Sequence, residues 1–122
     1  MKGLHGRILH IDLSASRYWM ESMGDEIYQR YLGGKGLGVY LLRREVDPKT
    51  DPLGPGNKLI FALGPLNGTR MYGMSRYGVF AKSPLTGVFA ESYAGGHTAP
   101  AMKAAGYDAI ILHGQAPSPV FL

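Results

Sequence analysis

No cysteine occurs in the 122 residues. That absence excludes disulfides, thiolate metal sites, iron–sulfur ligation and a cysteine nucleophile within this chain, and it fits a reducing compartment. Charge is also sparse. Asp, Glu, Lys and Arg make up 18% of the residues, below the usual quarter. No apolar run approaches the roughly 18–20 residues of a membrane helix, and the start M-K-G-L-H-G-R has no hydrophobic signal core. A cytoplasmic location with no membrane partner is expected. No His pair has the H-x-x-x-H or H-E-x-x-H spacing of a helical zinc site. No Ser/His/Asp set and no pair of carboxylates stands out, so no catalytic residue is assigned. Asp12, Asp25, Asp47, Asp51 and Asp108 all have ordinary cap or turn explanations.

What is present defines a folded chain rich in turns. Hydrophobic residues are 45% of the sequence, enough for a core and too many for global disorder. Glycine occurs 18 times and proline 8 times, so elements are short and turns frequent. The net charge is +4 and the pI about 9.4. The basic residues are scattered and do not form a tract. This mild excess favours anionic partners such as phosphates. No recognition helix or aromatic RNA-binding strand motif accompanies it, so nucleic acid is not an expected partner.

Periodicity predicts strands at 7–13 and 18–22 joined as a hairpin, then at 58–63, 76–82, 88–92, 109–113 and 120–122. Helices are predicted at 26–32 with Asp25 as cap, at 36–45, and at 98–105 with Thr98 as cap and Pro100 in the first turn. The segment Gly33-Gly34-Lys35-Gly36-Leu37-Gly38 is a dinucleotide fingerprint only in altered form. No strand feeds it and no Walker Ser or Thr follows Lys35, so close helix packing is its better use. The order of elements is α+β, with antiparallel or mixed sheet and a few short helices, and it does not alternate as βαβ units do. The apolar residues Val120, Phe121 and Leu122 end the chain without a polar tail. A single domain over 1–122 that forms the first part of something larger is therefore expected.

The stretch S-Y-A-G-G-H-T-A-P-A-M-K-A-A-G (92–106) is the most suggestive. Gly95 and Gly96 carry no side chain to hold a ligand off the backbone, and a helix start follows, as in many anion sites. The other reading is a tight strand-to-helix connection with no ligand. His97 adjoins the turn and is placed to donate to an anion. Arg76 opens a strand after a flexible loop, where a guanidinium suits phosphate or carbonyl contacts; a solvated surface arginine is the alternative. His10 and His113 lie in strand runs and are expected to be packed or hydrogen-bonded.

Taken together, G-R-I-L-H-I-D-L (6–13), Y-L-G-G-K-G-L-G (31–38), D-P-L-G-P-G-N-K-L-I-F-A-L-G-P-L-N-G-T (51–69), S-R-Y-G-V-F-A-K-S-P-L-T-G (75–87), G-G (95–96) and K-A-A-G-Y-D-A-I-I-L-H-G (103–114) resemble the N-terminal domain of the tungsten-containing aldehyde:ferredoxin oxidoreductase family. The resemblance implies a domain of two related β-sheet units that forms the base for a bis-pterin holding tungsten or molybdenum. It implies magnesium bridging the two pterin phosphates and a [4Fe–4S] cluster on cysteines in later, helical domains. Implied partners are those domains, ferredoxin and an aldehyde substrate. Arg76 matches a family arginine near the pterin. Tyr93, Ala94, Gly95 and Gly96 match the pterin-phosphate loop, with His97 beside it, and Tyr93 stands where the family's magnesium-contacting residue lies. Tyr93 and Ala94 replace the usual Asn and Ser, a change that a main-chain carbonyl contact survives and a side-chain amide contact does not. The isolated chain is expected to lack oxidoreductase activity, and an uncovered apolar face is expected to make it a homo-oligomer. A small stand-alone pterin- or phosphate-binding module is the alternative.

Overall fold

The computed structural model describes residues 2–121. Its strands are β1 (Arg7–Asp12), β2 (Arg17–Ser22), β3 (Leu59–Leu63), β4 (Tyr77–Lys82), β5 (Phe89–Ala94) and β6 (Ala109–His113). Its helices are α1 (Asp25–Tyr31), α2 (Gly34–Glu45) and α3 (Thr98–Ala104). The strands form one six-stranded sheet in the order β2-β1-β6-β3-β4-β5. Every pairing is antiparallel except β1 with β6. The α+β class holds, with mixed rather than purely antiparallel pairing.

Alternation along the strands separates two faces. Ile8 pairs with Ala109, His10 with Ile111, Ile60 with both Ile111 and Phe80, and Ala62 with Ala109. These residues share one face and are buried. Leu37 and Leu41 of α2 and Tyr28 of α1 are buried in the same cluster. The helix packs on β3 and β4 because Gly38 brings its backbone against the Phe80 ring, leaving no room for a Cβ. The packing role predicted for the glycine-rich segment is thus the one observed. On the other face Leu9, Ile11, Phe61, Val79 and Ile110 remain half-exposed. Residues 116–120 run beside Leu9 and Ile11, and the groove between them has a volume of about 720 Å³.

Several expectations are corrected. Val120 and Phe121 lie in no strand, and Leu122 falls outside the described residues; the prolines Pro117 and Pro119 remove the amides a ladder would need. The α1 cap position is Gly24, with Asp25 the first helical residue, where its carboxylate still favours the positive helix end. The α3 cap position is His97 rather than Thr98, and no side chain caps it. The helix α2 starts two residues earlier than predicted, at Gly34, because Gly33 at φ 144° and Gly34 at φ 51° make the turn out of α1.

Candidate functional site

A cleft of about 370 Å³ lies at the end of the sheet where α2 begins, lined by Gly34, Asn67, Met74, Arg76, Tyr77 and Tyr93 among others. Its rim is built by Asn67, a buried side chain. Asn67 Oδ1 accepts from Gly64 N at 2.6 Å, and its Nδ2 donates to the carbonyls of Met74 at 2.6 Å and Arg76 at 2.9 Å. One amide thus fixes both ends of the loop 64–76 and sets the backbone from which Arg76 projects. The Arg76 side chain is exposed and has no hydrogen bond or ion pair among the described residues. It is a free guanidinium beside the first turn of a twelve-residue helix, where the N–H groups are also free.

Tyr93 lines the same cleft as Arg76. Its ring packs edge-on against Phe80 at 6.0 Å, and its hydroxyl donates to Glu91 Oε2 at 3.0 Å. Glu91 in turn accepts from Lys35 Nζ at 2.9 Å. Burial first, then the bond to Glu91 and its charge, push the Tyr93 phenol above its ordinary range. The Lys35 hydrogen bond holds the Glu91 carboxyl below its own. Ala94 closes β5 opposite Tyr77. Gly95, Gly96 and His97 form the exposed turn that follows. Gly96 has φ 88°, and a Cβ at either glycine would meet nothing within 4 Å. The turn is therefore open to an approaching ligand, and the left-handed backbone at Gly96 explains the glycine there. Arg76 and Tyr93 line one cleft, whereas Ala94 to His97 continue away from it along the sheet edge.

Two clusters escaped sequence reasoning. The first surrounds Asp108, fully buried rather than an ordinary turn residue. Its carboxylate accepts from the amides of His5 at 2.9 Å and Gly6 at 2.7 Å, from Tyr28 Oη at 2.9 Å and from Lys103 Nζ at 2.6 Å. Burial raises its pKa, but the Lys103 bond, the His5 amide and the Lys103 charge outweigh burial and leave the carboxyl below its usual range. The second cluster lies at the far end of α2. His10 Nδ1 is 2.8 Å from His113 Nε2, and His10 Nε2 is 2.9 Å from Glu21 Oε2. Arg44 donates to both Glu21 oxygens at 2.8 and 2.7 Å and to Glu45 Oε1. Trp19 stacks on His10 with centroids 4.8 Å apart. Burial, followed by the nearby Lys58 charge, pushes the His113 imidazole below its usual value. The signal available in the sequence was only that two histidines lie in strands; their parallel pairing across the length of the chain supplied the rest.

Comparison with known proteins identifies the family. The family model for the aldehyde ferredoxin oxidoreductase N-terminal domain matches residues 8–122. The tungsten-containing aldehyde ferredoxin oxidoreductase of Thermococcus kodakarensis is 45% identical over all 122 residues, which span 20% of that protein. The aliphatic sulfonate oxidoreductase, WOR-like subunit, of Pyrococcus furiosus is 34% identical, again with the whole chain covering 20% of its length. Among solved structures, the active site complex BamBC of benzoyl coenzyme A reductase, in complex with 1,5 dienoyl-CoA, superposes with a TM-score of 0.92 at 38% identity, covering 96% of this chain and 18% of that one. The chain spans about a fifth of the length of the curated relatives it matches. It belongs to the aldehyde ferredoxin oxidoreductase family, as part of the N-terminal domain.

Proposed function

We propose that this chain is the first part of the base on which the tungsten or molybdenum bis-pterin of an aldehyde-oxidising enzyme rests. The observation that carries this reading is the cleft at the start of α2, which Arg76, with no side-chain partner among the described residues, lines together with Tyr93 and Gly34 of the first helical turn. That donor set fits a cofactor that brings its own sulfur ligands and presents phosphates to the protein. A guanidinium and backbone amides bind phosphate, and the chain offers no thiolate to compete for the metal.

In this reading Arg76 takes a phosphate oxygen or carbonyl of the cofactor. The open turn at Gly95 and Gly96 lets the phosphate approach the backbone, with His97 beside it as a further donor. The main chain at Tyr93 and Ala94 would hold the magnesium that accompanies the phosphates. The Lys35–Glu91–Tyr93 chain fixes the tyrosine ring and so the cleft wall. When bound, the bis-pterin supplies the redox chemistry; the residues of this chain bind and orient it. Oxidation of aldehyde to carboxylic acid, the [4Fe–4S] cluster and electron transfer to ferredoxin belong to domains outside these residues. The half-exposed sheet face carrying Leu9, Ile11, Phe61 and Val79 is the surface on which those domains pack.

The test is metal and phosphorus content. Protein purified anaerobically from its own source should contain tungsten or molybdenum with about two pterin phosphates per metal. Arg76→Ala should lower that content, because one charge-assisted hydrogen bond contributes about 1.5–3 kcal/mol, roughly ten- to a hundredfold in affinity. Its exposed side chain makes the same change neutral for folding. Unchanged metal and phosphorus in the Arg76→Ala protein would remove Arg76 from the site.

A further inference from the structure

We propose that His10, Glu45 and His113 form a site for one divalent transition-metal ion of the zinc class, separate from the cleft of Arg76 and Tyr93. One donor atom from each of the three lies within 4.8 Å of the others. Two imidazoles and a carboxylate are a donor set that suits zinc, leaving a fourth position for water.

Binding needs movement in two directions: the imidazoles must part, and the Glu45 carboxylate, with donors spread over as much as 4.8 Å, must close in. Zinc bonds of about 2.0–2.1 Å in a tetrahedron put neighbouring donors about 3.3 Å apart. His10 Nδ1 and His113 Nε2 stand 2.8 Å apart, so they must separate by about half an ångström. With its Nε2–H donating to Glu21, neutral His10 presents its Nδ1 lone pair. The bridging proton then resides on His113 Nε2. Its shift to His113 Nδ1 frees the second lone pair without loss of a proton. Glu45 engages Arg44 through Oε1 only, which leaves Oε2 for the ion.

The surroundings support the same assignment. The bond from His10 to Glu21 is a carboxylate–histidine pair of the kind that orients metal-ligating imidazoles. Asp12, Glu21 and Glu45 lie about the site, balanced by Arg17 on Asp12, Arg44 on Glu21 and Glu45, and the nearby Lys58, so the ion would be held by its three donors and not by an excess of charge. His10 is buried under Trp19, while Glu45 and His113 are half-exposed and give the ion a way in.

Trp19 is the only tryptophan of the chain, with its ring 4.8 Å from His10 and 5.1 Å from His113. It reports on the site directly. Metal-stripped protein is titrated with cobalt(II) while Trp19 emission is followed, and zinc(II) is then added as a competitor. The expected result is saturable quenching at one cobalt per chain, reversed by zinc. His113→Gln and Glu45→Gln should weaken the binding at least tenfold, and Glu21→Gln by about ten- to a hundredfold. His5→Gln and His97→Gln should leave it unchanged. The half-exposed positions of His113 and Glu45 keep those variants folded, which far-ultraviolet circular dichroism checks. Quenching that does not saturate, or that is the same in His113→Gln as in the parent, would overturn the site and leave the cluster as a hydrogen-bonded imidazole pair.

Discussion

Replacing Asp108 by Asn should be among the most damaging conservative changes in this chain. The two side chains have nearly the same shape, so the loss reports the charge together with the one acceptor oxygen that becomes an NH2 donor among the donors already there. Asp108 is fully buried and Lys103 is 7% exposed, so the ammonium left behind has no anionic partner and little water. Breaking a buried pair on one side costs about 3–5 kcal/mol. A chain of 122 residues has a total stability of roughly 6–18 kcal/mol, so a large share disappears. Unfolding entropy for this length corresponds to a fall in Tm of about 12–20 °C. Lys103→Met should cost less, about 1.5–3 kcal/mol, because the carboxylate keeps the amides of His5 and Gly6 and the Tyr28 hydroxyl. The double variant should be no worse than Asp108→Asn alone, since the stranded ammonium is gone. The sign with pH follows from the lowered folded-state value. The stabilisation is complete above the unfolded carboxyl value of about 3.9 and is lost as pH falls through the lower folded one. The assay is urea unfolding followed by Trp19 emission, at neutral and acidic pH. A penalty for Asp108→Asn below about 1 kcal/mol, or a double variant equal to the sum of the singles, would refute the reasoning.

Three further outcomes are expected. Gly38→Ala should destabilise by about 1–3 kcal/mol despite its better helix propensity, because its methyl meets the buried Phe80 ring; chemical denaturation should show a smaller penalty in a Phe80→Leu background. The lowered His113 value means the unfolded chain takes up a proton first, so stability should be unaffected above about pH 6.5 and fall below it; His113→Gln should flatten that part of the profile. The half-exposed sheet face should drive the isolated chain into dimers or larger assemblies, and light scattering that finds a monodisperse monomer at high concentration would count against this.

Local elements were legible where the signal was local. The alternation in R-I-L-H-I-D-L and the turn around Gly33 and Gly34 marked β1 and the break between α1 and α2 to within a residue or two. Arg76 and Tyr93 could be named from the sequence, but not that they line one cleft. That depends on β4 and β5 pairing Gly78 with Tyr93 and on Asn67 holding the loop before Arg76. Asp108 gave no warning. Its short spacing to Lys103 was visible, but the amides of His5 and Gly6 arrive from the other end of the chain, brought there by the parallel β1–β6 pair. The final apolar residues misled because hydrophobicity alone suggests a strand, while prolines on both sides of Ser118 deny it the amides.

The helix α2 connects the two sites and gives them opposite polarity. Gly34 at its start lines the cleft of Arg76, and Glu45 at its end belongs to the histidine cluster. Over the twelve residues of the helix, the eleven rises between them amount to about 16 Å. The positive N-terminal end favours the phosphates assigned to the cleft, and the negative C-terminal end favours a cation at the cluster. Because the two lie well beyond the range at which substitutions couple, about 7–10 Å, the assignments can be tested against each other. Arg76→Ala should leave cobalt quenching of Trp19 untouched, and His113→Gln should leave tungsten or molybdenum content unchanged. If either change abolished both readouts, a general loss of structure along α2 would be the cause, and neither site could be credited to its own residues.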